Sequence, residues 1–176
     1  MKSRQGSTIS RAATGDSRGA KFTLRSSAFA DGAEIPVVFT ADGADRSPPL
    51  AWESAPEATR EFALIVNDPD APSGNWIHWV LYRVPGERRD LPQGVPGQEV
   101  VEGIGTQGLN DFGSVGWGGP SPPGGRSHRY RFRLLALDAP LALRPRLRAA
   151  ELLEAIRGHV LAETILTGNY QRVSGR

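Results

Sequence analysis

Three segments of strand length hold much of the chain's apolar content and leave little freedom in its fold class: EFALIVN at 61–67, WIHWVLYR at 76–83 and HRYRFRLLAL at 128–137. The first is a near-continuous apolar run, as a strand buried on both faces requires. It stops at Asp68-Pro69, a natural end for the element. The second sets Trp76, His78, Val80 and Tyr82 on one face and Ile77, Trp79, Leu81 and Arg83 on the other. Both faces are largely apolar, which predicts a central strand. In the third, His128, Tyr130, Phe132, Leu134 and Ala136 share an inward face, and Arg129, Arg131 and Arg133 share a face that meets solvent.

The remaining sequence joins such strands. Twenty-one glycines and fourteen prolines among 176 residues favour many turns over a helical bundle. KFTLRSSAF, from near Phe22, and EIPVVFT at 34–40 read as strands ahead of the turn-rich ADGADRSPPL. Only AELLEAIRGHVLAE, about 150–163, has helical spacing, with Leu152, Leu153, Ile156 and Val160 on one stripe. Gly158 weakens that helix by about 1 kcal/mol relative to alanine. TILTGNYQR predicts a turn and a closing strand. The expected class is mainly β with a few short helices, and the length suits one core and one domain.

The pI of about 9.4 would suggest a nucleic-acid partner if the charge lay on the folded part. Residues 1–21 carry a net +4 and residues 22–176 a net −2, so the body is slightly acidic. Residues 1–20 are polar and basic, with too little apolar surface to offset ordering, and read as a disordered tail without a nucleic-acid role. With no cysteine, disulfides and thiolate chemistry are excluded. No apolar run reaches membrane-spanning length and the first twenty residues lack a secretory core, so the expectation is a cytoplasmic protein without stable membrane insertion.

Several motifs fail on context. GIGTQG at 103–108 matches a dinucleotide fingerprint, but LNDFGSVGWGGP follows it where a helix must begin. DPDAPSG at 68–74 resembles the start of a calcium loop, yet Ser73 stands at position six and Trp79 at position twelve. More telling are the histidines, only His78, His128 and His159. His78 follows the DPDAP turn and His128 follows GGPSPPGG, whereas His159 falls in the predicted helix. Convergence of the first two with Asp68 and Asp70 would make a compact polar site.

DPDAP at 68–72 with WIHW at 76–79, NDFG at 110–113, GWGGPSPPGG at 116–125 and HRYRF at 128–132 resemble, in order, the signature blocks of the phosphatidylethanolamine-binding family. The similarity is greatest to its bacterial, Raf kinase inhibitor-like branch. It runs from about Phe22 to Gln171 and includes SPPLAW at 47–52 and GHVLAE at 158–163, the latter as helix. The resemblance implies an antiparallel β-sandwich with a small cavity at one end. It implies ligand-binding residues Asp68, Asp70, Trp76, His78, Gly119, Pro120, Pro122, His128 and Tyr130, and a possible homodimer. Ser121 stands where bacterial relatives often have cysteine, so a thiol-dependent role does not carry over. The C-terminal extension that gates the site in eukaryotic relatives is not expected here.

The family's pocket accepts phosphate-like anions, which two neighbouring carboxylates repel unless compensated. The expectation is therefore that His78 and His128 donate to the anion, helped by Tyr130 O–H and by backbone N–H groups of the glycine-rich loop. The aspartates would orient the imidazoles or accept from the amine of a zwitterionic headgroup. This is a non-catalytic binder without cofactor. Two alternatives stand beside it: a metal-assisted hydrolase whose ion is held by Asp68, Asp70, His78 and His128, and a kinase or protease regulator that docks through the pocket rim.

Overall fold

The computed structural model describes residues 19–172; the predicted tail at 1–20 lies, but for its last two residues, outside the described residues. In chain order the elements are β1 (Thr23–Arg25), β2 (Leu50–Glu53), β3 (Glu61–Asp68), β4 (Trp76–Pro85), β5 (Asp90–Leu91), β6 (Val100–Val101), β7 (Gly105–Gln107), β8 (His128–Leu137), α1 (Ala149–Ala155) and β9 (Val160–Tyr170). They form two antiparallel sheets, ordered β1-β2-β5 and β6-β7-β4-β3-β8-β9. None of the described helices is long and apolar enough to cross a membrane.

β3 explains the architecture. It pairs with β4 on one side and β8 on the other, and both faces are covered, as its unbroken apolar run requires. Phe62, Leu64 and Val66 join the main core between the sheets, with Trp52, Trp79, Tyr130 and Phe132. Ala63 and Ile65 face a second core, with Val80, Tyr82, Leu135, Leu137, Leu152 and Ile156, which α1 covers. The arginine face of β8 is correspondingly split. Arg129 is exposed and Arg131 and Arg133 are half-buried, but Leu135 and Leu137 continue that face beneath α1.

Four sequence expectations are corrected. EIPVVFT is not a strand: Pro36 fixes the entry angle and Val37–Phe39 form a 3-10 turn, with Phe39 buried and Val37 and Val38 exposed. The helix predicted over 150–163 ends at Ala155, with Ile156 as its cap and Gly158 in the left-handed region at φ 83°. Residues 160–163, the VLAE of GHVLAE, are instead strand, because β9 pairs with β8 from Leu137↔Val160 to His128↔Tyr170. That ladder outweighs a modest local helix preference, and leaves His159 in the turn, bonded to Asp138. The turn predicted within TILTGNYQR is absent for the same reason.

The fourth correction concerns β4. Its pairing with β3 slips between Trp79↔Val66 and Ile77↔Asn67, so His78 is an extra residue, a β-bulge. Strict alternation would place His78 with Val80 and Tyr82, on the α1 side. Beyond the bulge, His78 shares a face with Trp79 and Leu81 and lies edge-on to Tyr130, while Ile77 packs with Val80 and Tyr82.

A buried glutamine fastens the β7 edge. Gln107 is fully buried; its Oε1 accepts from Trp79 Nε1, and its Nε2 donates to the carbonyls of Pro96 and Gln98. Gln107→Ala strands a buried N–H and two carbonyls, so chemical denaturation should show a loss of about 3 kcal/mol or more. Gly158→Ala meets no atom within 4 Å. Its expected loss of about 1 kcal/mol therefore comes from backbone conformation alone, and the same titration measures it.

Candidate functional site

β4 and β8 both run antiparallel to β3, so the end of β3 lies beside the starts of its two neighbours. That places Asp68, the last residue of β3, near His78, the third residue of β4, and His128 at the head of β8. All three are buried, with 3–4% of their surface exposed. They line one cavity of about 200 Å³ together with Trp76, Pro122 and Tyr130.

Asp68 is fully engaged. Its Oδ1 accepts from the backbone N–H of Asp70 at 2.8 Å, closing the DPDAP turn, and its Oδ2 accepts from His128 Nδ1 at 2.7 Å. The carboxylate thus fixes the orientation of the His128 ring and leaves Nε2 as the nitrogen that ring can offer a guest.

His78 is held differently. Its Nδ1 bonds the Gly118 carbonyl, which can only accept, so Nδ1 carries the proton. The ring lies edge-on between Phe112 and Tyr130, at 5.3 and 5.1 Å. Burial pushes its pKa below the usual histidine value, against the opposing pull of the Gly118 bond and of Asp68. His78 is therefore neutral at pH 7 and presents Nε2 as an acceptor. This reverses the sequence expectation that His78 donates to an anion.

Two of the loop's backbone N–H groups are committed as well. Gly118 N–H donates to the His78 carbonyl and Gly119 N–H to Asp45 Oδ1 at 2.7 Å. Gly119 and Pro120 do not line the cavity. Gly119 is a packing glycine, since a Cβ there would run into Asp45 and the backbone of Phe39 and Thr40. The Pro120 carbonyl accepts from Ala41 N–H, so these two residues anchor the wall that Pro122 presents.

Asp70 also stands outside the cavity. Arg129 grips it with Nε and Nη2 at 2.9 and 2.8 Å and with its backbone N–H at 3.0 Å, holding its carboxyl at about 2. Asp70 is thus parted from the other three residues considered for a metal, and among the described residues no three His, Cys, Asp or Glu converge as a ligand set.

Two proton donors at the cavity are unengaged by protein. The Tyr130 hydroxyl and Trp76 Nε1 are buried without a hydrogen-bond partner among the described residues. Burial, then the nearby Asp68, raises the Tyr130 pKa, so the hydroxyl keeps its proton.

Ala71, Pro72, Ser73, Phe112, Ser121 and Pro123 complete the lining and were not among the expected site residues. All but Ser73, which directly follows DPDAP, lie within the signature blocks, so position in a motif was the available signal. Phe112 shows why it was insufficient. Its seat depends on Asn110, which accepts from the N–H groups of Phe112 and Ser114 and donates to Gly116, and on Gly118, where a Cβ would strike the Phe112 ring. Phe112 stays 48% exposed at the mouth, edge-on to Trp76.

Comparisons with known proteins point to one family. The family model described as phosphatidylethanolamine-binding protein matches residues 25–171. A UPF0098 protein of Methanothermobacter thermautotrophicus is 45% identical over 149 residues, covering 85% of this chain and 98% of that protein. One from Aquifex aeolicus is 44% identical over 156 residues, covering 88% and 91%. Among solved structures, a phosphatidylethanolamine-binding protein homologue of Chlamydia trachomatis superposes with a TM-score of 0.79 at 36% identity, covering 86% of this chain and 97% of that one. YbcL of E. coli, described as a new member of the mammalian family, gives 0.79 at 30% identity, covering 87% and 99%. With the family model spanning most of the sequence and the same sandwich recurring in these structures, the chain belongs to the phosphatidylethanolamine-binding protein family.

Proposed function

We propose that the protein binds a small anionic or zwitterionic ligand with a phosphate-like group and does not transform it. One observation carries this reading: a cavity walled by a buried Asp68–His128 pair also holds two unengaged proton donors, Tyr130 O–H and Trp76 Nε1–H. A buried donor without a partner costs about 1–3 kcal/mol, and an anion's oxygens would remove that penalty. The cavity takes a guest of a few heavy atoms at its inner end, and Phe112, Pro122 and Pro123 offer apolar contact to whatever is attached.

The neutral His78 adds a selection rule. Its Nε2 accepts, so the guest must bring a proton to that position, or the ring must take one up. Monohydrogen phosphate carries such a proton and sulfate does not. At pH 8, calorimetry should therefore show phosphate binding about tenfold or more tighter than sulfate, because sulfate leaves two lone pairs facing each other. Acidification that protonates His78 should narrow the gap. Equal affinity for the two anions at pH 8 would refute the assignment of His78.

Two variants test the remaining contacts. Tyr130→Phe removes one hydroxyl and should weaken phosphate binding about tenfold without lowering the melting temperature, since that oxygen has no hydrogen-bond partner among the described residues. The second test concerns pH and stability. His78 has a folded-state pKa below its unfolded value, so its contribution is fully present above about pH 6.5 and is lost as pH falls toward the folded value. Denaturation midpoints should therefore decline with acidification below about pH 6.5, and His78→Gln should flatten that decline.

A further inference from the structure

The proton inventory leaves an anion short of donors. His78 Nδ1 is committed to Gly118, the Gly118 and Gly119 N–H groups are committed within the fold, and Asp68 repels the guest. Besides Tyr130, two residues of the lining carry hydroxyls, Ser73 and, in the proline-rich wall, Ser121. Ser121 Oγ accepts from Arg172 Nη2 at 2.9 Å. A hydroxyl oxygen that accepts from a guanidinium keeps its own single proton free and is polarised as a donor.

Arg172 is itself fixed. Its Nε and Nη2 grip Asp42 at 2.6–3.0 Å, and Tyr170 O–H donates to the same carboxylate at 2.9 Å. Tyr170 closes β9 opposite His128 in the ladder, so the following residues emerge beside the cavity. The Arg172 charge is felt at the Tyr130 hydroxyl, where it opposes the rise caused by burial.

We infer that Arg172 is a positioning residue of the ligand site. By donating to Ser121 Oγ it leaves the Ser121 proton for the guest and sets a positive charge behind the proline-rich wall, so the stretch just after β9 helps to set anion affinity. This rests on the anion-binding reading above. Asp42 is the built-in counterweight, because it holds Arg172 back from neutralising the guest directly and keeps it behind the hydroxyl.

Calorimetry with inorganic phosphate on the full chain tests the inference, using wild type, Ser121→Ala, Arg172→Gln, Arg172→Lys and the Ser121→Ala/Arg172→Gln double variant. Each of the first two substitutions should weaken binding about tenfold, because each removes one part of a charge-assisted donor. The double variant should be no weaker than the weaker single, since the two residues act as one unit. Arg172→Lys should recover most of the affinity, whereas a purely structural tie to Asp42 would show as a lower melting temperature with phosphate affinity unchanged.

Additive losses, or wild-type affinity in Arg172→Gln, would overturn the inference while leaving the site itself intact. If Arg172→Gln does not fold, Ser121→Ala and Arg172→Lys decide: undiminished binding in the first, or a loss of tenfold or more in the second, overturns it. No phosphate binding by wild type would remove both this inference and the reading it rests on.

Discussion

The structure turns on the burial of β3 between two antiparallel neighbours. A strand covered on both faces must lie inside its sheet, and here its partners β4 and β8 both run back along it. The heads of those two strands therefore meet the tail of β3, and each head carries a histidine. The buried acid and the two imidazoles of the cavity follow from that geometry: Asp68 at the end of β3, His128 at the head of β8 bonded to it, and His78 turned inward by a bulge.

The bulge is the least conspicuous of these features and has the largest consequence. One extra residue in β4 reverses the facing of every residue before it relative to those after. Without it, Trp76 and His78 would point under α1, and Ile77 would occupy the cavity face. The cavity's electrostatics then follow from hydrogen bonds that are already made. Asp68 is consumed by a turn and an imidazole, the Gly118 and Gly119 amides by the His78 carbonyl and Asp45, and His78 Nδ1 by Gly118. What remains for a guest is a small set of donors and the Nε2 atoms of two imidazoles, a narrower specification than a cluster of acids and histidines suggests.

Much was legible in the sequence. The apolar run at 61–67, the alternation at 128–137 and the density of glycine and proline sufficed for a β-rich class, because period and turn chemistry are local properties. The ordered blocks DPDAP, WIHW, NDFG, GWGGPSPPGG and HRYRF sufficed for the family and for six of the cavity residues: Asp68, Trp76, His78, Pro122, His128 and Tyr130. Asp70, Gly119 and Pro120 share those blocks yet serve the frame around the cavity, and a motif alone does not separate the two roles.

What only the tertiary structure decided has a common physical cause: partners distant in sequence. Residues 160–163 are helical by local preference, but a ten-position ladder with β8 makes them strand. His78 is an acceptor because a carbonyl forty residues away takes its Nδ1 proton, and Asp70 leaves the cavity because Arg129, fifty-nine residues on, offers a planar fork. Local sequence determined which segments could be strands and which residue types could do chemistry. Hydrogen-bond partners and one shift of register determined where those residues face and which protons they keep.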